Sequence, residues 1–251
     1  MHVPDEQVVE ELSSTAADDV ADDDGSDAND SSSEGGSRKD ELEISDLTEA
    51  ERFITFSDAV IAIAMTLLIL PLMEATSEIA AEDEEQIITV QQFFAENADK
   101  VGAFFISFWV VAQFWMAHDK AFRYVGRFSR RLVLLNFLWM LGIVFLPVVT
   151  GLLTSSPDRL GVVVYILTML ITNMVGGLML YVIRSDRRVW KGHRGPGMIS
   201  VLKNAIFSVF LLAALLLSLF VPAVGAYSLF LLLLAKVTMR FVEWKRPDLS
   251  Y

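Results

Sequence analysis

The segment Arg52-Phe53-Ile54-Thr55-Phe56-Ser57-Asp58-Ala59-Val60-Ile61-Ala62-Ile63-Ala64-Met65-Thr66-Leu67-Leu68-Ile69-Leu70-Pro71 decides the fold. It is one helix long and apolar almost throughout, yet it opens with an arginine, a serine and an aspartate. An apolar run of about 20 residues spans a hydrocarbon core of roughly 30 Å, so the segment reads as a membrane span. Ionisable groups at membrane depth cost on the order of 2.5–3.5 kcal/mol each on insertion scales and usually face a protein interior or a water-filled path. An anchor alone needs none of them.

Outward from this segment the chain repeats the theme. Apolar runs at Phe53–Met73, Val101–Ala117, Leu132–Leu153, Gly161–Ile183, Ala205–Val221 and Val224–Phe241 make six expected spans. The expected fold is all-α, a polytopic membrane protein with six transmembrane helices per subunit. Of the 251 residues, 53% are hydrophobic and the net charge is −12, but that charge is not spread evenly. Residues 1–50 hold 17 Asp and Glu against Arg38 and Lys39, a balance of −15 that leaves the remainder at +3. The absence of cysteine excludes disulfide frameworks, thiol catalysis and Cys-based metal sites. The N-terminal stretch lacks the basic and apolar regions of a cleavable signal peptide, so the first insertion signal is the span that starts near Phe53.

The organisation expected is a disordered acidic cytoplasmic tail over 1–46, a six-helix transmembrane domain over 47–244 and a short cytoplasmic C-terminus over 245–251. From Ser13 to Ser37 the tail is rich in Asp, Ser, Ala and Gly without aromatics, a composition that predicts disorder. A helix start is expected at Asp46 or Thr48, the latter with Glu51 at capping-box spacing. Basic residues then alternate between loops. Lys120, Arg123, Arg127, Arg130 and Arg131 follow the second span, and Arg184, Arg187, Arg188, Lys191, Arg194 and Lys203 follow the fourth. Arg240, Lys245 and Arg246 lie at the C-terminal end, whereas the intervening loops are poor in base and one carries Glu82-Asp83-Glu84-Glu85. This asymmetry puts both termini in the cytoplasm of a multi-pass plasma-membrane protein. The Gly192-His193-Arg194-Gly195-Pro196-Gly197 run reads as a turn, since it lacks the lysine and hydroxyl of a phosphate loop.

Projected at 100° per residue, Arg52, Phe56, Ala59, Ile63, Thr66, Leu67 and Leu70 fall on one stripe of the first span, with Asp58 about 140° away and Ser57 about 120° away on the other side. The polar pair is therefore free to engage neighbouring helices while the stripe faces something else. An apolar stripe on a membrane helix serves packing, lipid contact or a hydrophobic gate, and composition does not choose among them.

Arg52-x-x-x-Phe56-Ser57-Asp58 with its apolar continuation to Leu70-Pro71, the later Phe114-Trp115-x-x-His118-x-x-x-Phe122, and Leu135-Asn136 followed by Phe145-Leu146-Pro147 resemble the signature of the transmembrane protein 175 family of potassium channels, in its prokaryotic single-repeat form. The resemblance covers residues 48–243. It implies a six-helix subunit, a homotetramer around a pore lined by the first helix, and a constriction of large apolar side chains that carries over to Ile63, Leu67 and Leu70. Ala59 and Thr66 would then line the pore. Arg52, Phe56, Ser57 and Asp58 would form a hydrogen-bonded clamp, with Trp115, His118 and Asn136 as the donors a buried Asp58 requires. Asp119 departs from the family's pattern, which often has a second histidine there, and this weakens a proton-handling role. The implied activity is passive conduction of potassium over sodium, with K+ as permeant ion, no cofactor, no metal site and no catalysis. Its partners would be further copies of the chain and membrane lipid, with no nucleic acid. The competing reading is a proton- or cation-coupled transporter that uses Asp58 and His118. A membrane enzyme has the least support, because His118 is the only histidine in a span.

Overall fold

The computed structural model describes residues 30–81, 89–155, 159–192, 195–220 and 238. The chain divides into two compact units, residues 1–44 and 45–251. In order, the helices are α1 (Asp30–Leu67), α2 (Leu70–Ala81), α3 (Val90–Glu96), α4 (Ala98–Phe122), α5 (Arg130–Ser155), α6 (Arg159–Ser185), a 3-10 turn (Arg187–Val189) and α7 (Met198–Phe220). Among the described residues, five stretches are long and apolar enough to cross a membrane: Leu47–Glu78, Ala98–Phe122, Arg130–Ser155, Arg159–Ser185 and Met198–Phe220. These carry the first five expected spans. The sixth, Val224–Phe241, lies outside the described residues, as do the acidic loop at Glu82–Glu85 and the C-terminal residues 245–251.

One boundary differs from expectation. Helix begins at Asp30, so part of the tail expected to be disordered is helical, and Asp46 and Thr48 stand inside α1 rather than capping it. Arg38-Lys39-Asp40-Glu41-Leu42-Glu43 is mostly strong helix formers. The low apolar content of the tail obscured that local propensity. Residues 1–29 lie outside the described residues.

The first span is not continuous. Pro71, the second residue of α2, has no N–H to offer the carbonyl of Leu67, and its ring would crowd that carbonyl. The helix accordingly stops at Leu67 and turns through Leu68 and Ile69, where Ile69 N donates to Thr66 O at 3.3 Å. It resumes with Leu72 N donating to Ile69 O at 3.0 Å. Among the described residues, the buried ones on the bundle side of α1 and of the turn after it are Ala50, Ser57, Ile61, Ala64 and Leu68. Their spacings of three, four and seven mark the seam of a helix packed on its neighbours.

Helices α5 and α6, and α6 and α7, make the most extensive contacts, and α5 also touches α2 and α4. Val110, Ile143, Leu146, Ile166, Met169 and Leu211 form the buried core between them. Close approach is possible because Gly142 faces Thr172 and Gly177 faces Asn204. A Cβ at either glycine would collide with those side-chain oxygens. The glycine pair at Gly176 and Gly177 therefore serves packing, and α6 runs through it unbroken.

The two basic connections lie together. Gly126 N donates to Val189 O and Lys191 N to Tyr124 O, each at 2.8 Å, around a short bridge between Val125 and Trp190. Lys191 also reaches Glu51 of α1 at 3.6 Å. The loops that carry most of the positive charge thus share one end of the bundle with the start of the first span. At this end Asp119 pairs with Arg123 at 2.6 Å, and that hydrogen bond and charge push the guanidinium's already high pKa upward.

Candidate functional site

The stripe projected along the first span is the face that α1 and α2 leave open in the single subunit. Phe56, Ala59, Ile63, Thr66, Leu67 and Leu70 are all exposed, Ile63 by 60% and Leu70 by 47%. Thr66 is not a free hydroxyl. Its Oγ1 donates to the carbonyl of Ile63 at 2.7 Å, which leaves the oxygen lone pairs as its remaining polar character. Arg52 is exposed on the same face and has no hydrogen-bond or ion-pair partner among the described residues.

The opposite face is pinned by a chain of buried polar groups. His118 Nε2 lies 2.8 Å from Asn136 Oδ1, Asn136 Nδ2 donates to Ser57 Oγ at 2.8 Å, and Ser57 Oγ donates to the carbonyl of Phe53 at 3.0 Å. An amide oxygen only accepts, so the hydrogen between His118 and Asn136 sits on Nε2. The imidazole is stacked between Phe122 and Trp139, with centroids 4.1 and 4.5 Å away and rings within 20° of parallel. Ser57 and Asn136 are fully buried and His118 is 4% exposed. In a low-dielectric interior such a chain is held firmly because each member left unpaired would be costly. Phe53 adds an aromatic contact on Phe128 at 4.7 Å and on Phe137 at 5.7 Å, and Phe137 also approaches Phe56 at 6.3 Å.

Asp58 is placed differently from expectation. It is half-buried rather than enclosed, and its partner is Trp115, whose Nε1 donates to Oδ1 at 2.9 Å. Neither His118 nor Asn136 bonds to it, because Ser57, not Asp58, stands on the buried line with Ile61 and Ala64. The structure therefore divides the expected clamp in two: a buried link through Ser57, Asn136 and His118, and a half-exposed link through Asp58 and Trp115. Arg52 and Phe56 belong to neither. Asp58→Ala is expected to lower stability only modestly, by ~0.5–1.5 kcal/mol, the usual worth of one hydrogen bond with access to solvent. Thermal unfolding in detergent checks this, and complete loss of folded protein would move the pin to Asp58.

Two further polar groups tie the bundle and were not singled out from sequence. Ser107 Oγ lies 2.9 Å from both Thr150 Oγ1 and Tyr165 Oη, joining α4, α5 and α6. Asn173 Nδ2 donates to Ser208 Oγ at 2.7 Å, and Asn204 Nδ2 donates to Asn173 Oδ1 at 3.2 Å, joining α6 and α7. Their one signal is a polar residue repeated in each of several apolar spans. Among the described residues no three His, Asp or Glu side chains gather as a metal site would require.

Residues 52–147 match the model of the family described as the endosomal/lysosomal potassium channel TMEM175. The human endosomal/lysosomal proton channel TMEM175 is 30% identical over 132 residues, which are 52% of this chain and 25% of that protein. A potassium channel of Streptomyces collinus is 30% identical over 109 residues, 43% of this chain and 50% of its own length. The chain thus spans about a quarter of the human relative and half of the bacterial one. A solved structure, described as a lysosomal potassium-selective channel TMEM175 homolog from Chamaesiphon minutus, superposes with a TM-score of 0.59 at 20% identity, over 76% of this chain and 98% of that one. That likeness shows a common fold. The sequence match contains every residue of the first-helix stripe and of both links to it. The chain therefore resembles the TMEM175 channels in sequence over this core and in fold beyond it.

Proposed function

We propose that this relative of the TMEM175 channels is a passive, potassium-selective cation channel, four copies of which surround a pore lined by α1 and α2. The observation that carries this reading is the two-sidedness of the first span. One face is locked to its own subunit through Ser57, Asn136 and His118, while the other leaves Ile63, Leu67 and Leu70 unpacked in the single subunit. Rings of branched side chains dewet a narrow pore when they close and admit a partly dehydrated ion when they splay. The Thr66 oxygen, with its proton committed to Ile63, presents only lone pairs, which suits a passing cation and not an anion. Asp58 and Arg52 lie near the basic end of this path and act as bracket and rim rather than as ion ligands.

The coupled-transporter alternative loses support from the placement of its two residues, since Asp58 and His118 are each bonded to a different partner. Both solved relatives and curated ones are named as channels, the bacterial one for potassium and the vertebrate ones for protons. Liposome flux separates the readings. Vesicles loaded with potassium chloride and given a protonophore for charge balance are expected to lose potassium down its gradient, and sodium-loaded vesicles to lose much less. Strict dependence of potassium movement on a proton gradient would favour the transporter. Native mass measurement of the detergent-purified protein is expected to give four subunits.

A further inference from the structure

A cavity of about 420 Å3 opens between α4, α5, α6 and α7, away from the exposed stripe of the first span. Its walls divide by chemistry. Trp109, Phe114 and Phe207 give it an aromatic interior, whereas Lys120 and Lys203 stand at the basic end of the bundle, one in the last turn of α4 and the other near the start of α7. His118 is also a lining residue, and its Nδ1 is a buried nitrogen without a hydrogen-bond partner among the described residues. Because Nε2 carries the proton shared with Asn136, Nδ1 of the neutral ring offers a lone pair. An occupant that satisfies it must bring a hydroxyl or another donor.

These features specify one kind of molecule. Two lysines favour an anion, the aromatic walls favour hydrocarbon beside it, and the imidazole lone pair calls for an O–H. The order of the groups, charge at the bundle end and apolar surface deeper in, is that of a lipid standing in the adjoining leaflet. Basic pockets between transmembrane helices hold acidic headgroups in this way. The volume falls in the range of small-ligand pockets and suits a headgroup with the first acyl carbons, not a whole lipid.

We infer that this cavity binds the headgroup of a hydroxyl-bearing anionic phospholipid, with Lys120 and Lys203 on the phosphate, a headgroup hydroxyl on His118 Nδ1 and the proximal acyl chain against Phe114 and Phe207. Since His118 also holds Asn136 and, through it, Ser57, the lipid would brace the same link that fixes the first span.

The test is thermal unfolding of the full chain in a neutral detergent, with phosphatidylglycerol, phosphatidic acid, phosphatidylcholine or free glycerol phosphate added. Phosphatidylglycerol is expected to stabilise most, phosphatidic acid less, and phosphatidylcholine and glycerol phosphate hardly at all. In Lys120→Gln/Lys203→Gln the half-saturating phosphatidylglycerol concentration should rise by at least ~10-fold, at roughly one surface-lysine contribution each. Lys120→Arg/Lys203→Arg should keep the response. Ala117→Phe, which fills the cavity and leaves every lysine in place, should abolish it and keeps the test decisive if the glutamine variant does not fold. Equal stabilisation by phosphatidylcholine would overturn the headgroup preference, and equal stabilisation by free glycerol phosphate would reduce the site to a soluble-anion site. Equal effects of phosphatidic acid and phosphatidylglycerol would remove the hydroxyl contact. An undiminished phosphatidylglycerol response in both the glutamine and the Ala117→Phe variants would overturn the site itself.

Discussion

Ile63→Ala is expected to increase single-channel conductance several-fold and to move the potassium-to-sodium permeability ratio toward unity. Ile63 has the most open side chain of the three proposed ring positions, at 60% exposure in the subunit. In a four-fold assembly every truncation is repeated four times around one axis, so loss of a few carbons per subunit widens the gap disproportionately. An apolar ring has no ligands to replace ion hydration. Discrimination must then come from how much water each ion sheds, and sodium holds its water more tightly than potassium. Widening the ring lets both pass hydrated and erases the difference. A change of ~1.4 kcal/mol in the relative barrier is a ~10-fold change in the ratio. Bilayer recording under bi-ionic conditions measures it. Ile61→Ala is the matched control: this residue is 1% exposed, on the seam, and its truncation should cost ~2–5 kcal/mol of stability without altering selectivity in the molecules that remain folded. If Ile61 rather than Ile63 controls selectivity, the two faces of the helix have been assigned the wrong way round.

Asn136→Ala should be the most damaging single change in the polar link. It removes both the acceptor of His118 and the donor to Ser57, which leaves the buried Nε2 hydrogen of His118 without an acceptor and Ser57 with only its bond to the Phe53 carbonyl. The unsatisfied donor costs ~1–3 kcal/mol and the lost hydrogen bond to Ser57 about 1 more, so a loss of about 2–4 kcal/mol is expected. This is well above the modest effect assigned to Asp58→Ala. The readout is thermal unfolding together with the yield of monodisperse oligomer. Because most of the cost lies in the orphaned donor rather than in the bond, Asn136→Leu combined with His118→Phe should recover part of the stability. Removing both polar partners in favour of apolar groups is often close to neutral. Recovery by the double variant distinguishes desolvation from a simple packing loss, which it would only deepen.

Much of this architecture is legible in the sequence because membrane spans obey one strong rule, and the alternation of basic loops independently orders them. The stripe on the first span follows from helical period alone, and the residues it contains are among those left open in the subunit. Of the residues expected in the clamp, Ser57, Asp58, Trp115, His118 and Asn136 are hydrogen-bonded while Arg52 and Phe56 are not, and the pairing is not legible in the sequence. Whether Asn136 reaches Ser57 or Asp58 depends on the direction from which α5 crosses α1, and adjacent positions differ by 100° about the helix axis. The Ser107, Thr150 and Tyr165 cluster was invisible because a lone hydroxyl in an apolar span can also satisfy itself on its own backbone, as Thr150 does with Leu146 O at 2.8 Å. The early start of α1 was missed for a different reason: acidic, hydrophilic composition argues against a core, but it does not argue against a helix.

In the proposed channel, potassium moves passively through a pore lined by Ile63, Leu67 and Leu70. The most direct test is the reversal potential of the purified protein in a planar bilayer with potassium on one side and sodium on the other, at symmetrical pH and chloride. The current is expected to reverse with the potassium side strongly negative, and that potential should not shift when a pH gradient is then imposed. Reversal near zero, or one that follows the imposed proton gradient, would contradict passive potassium-selective conduction.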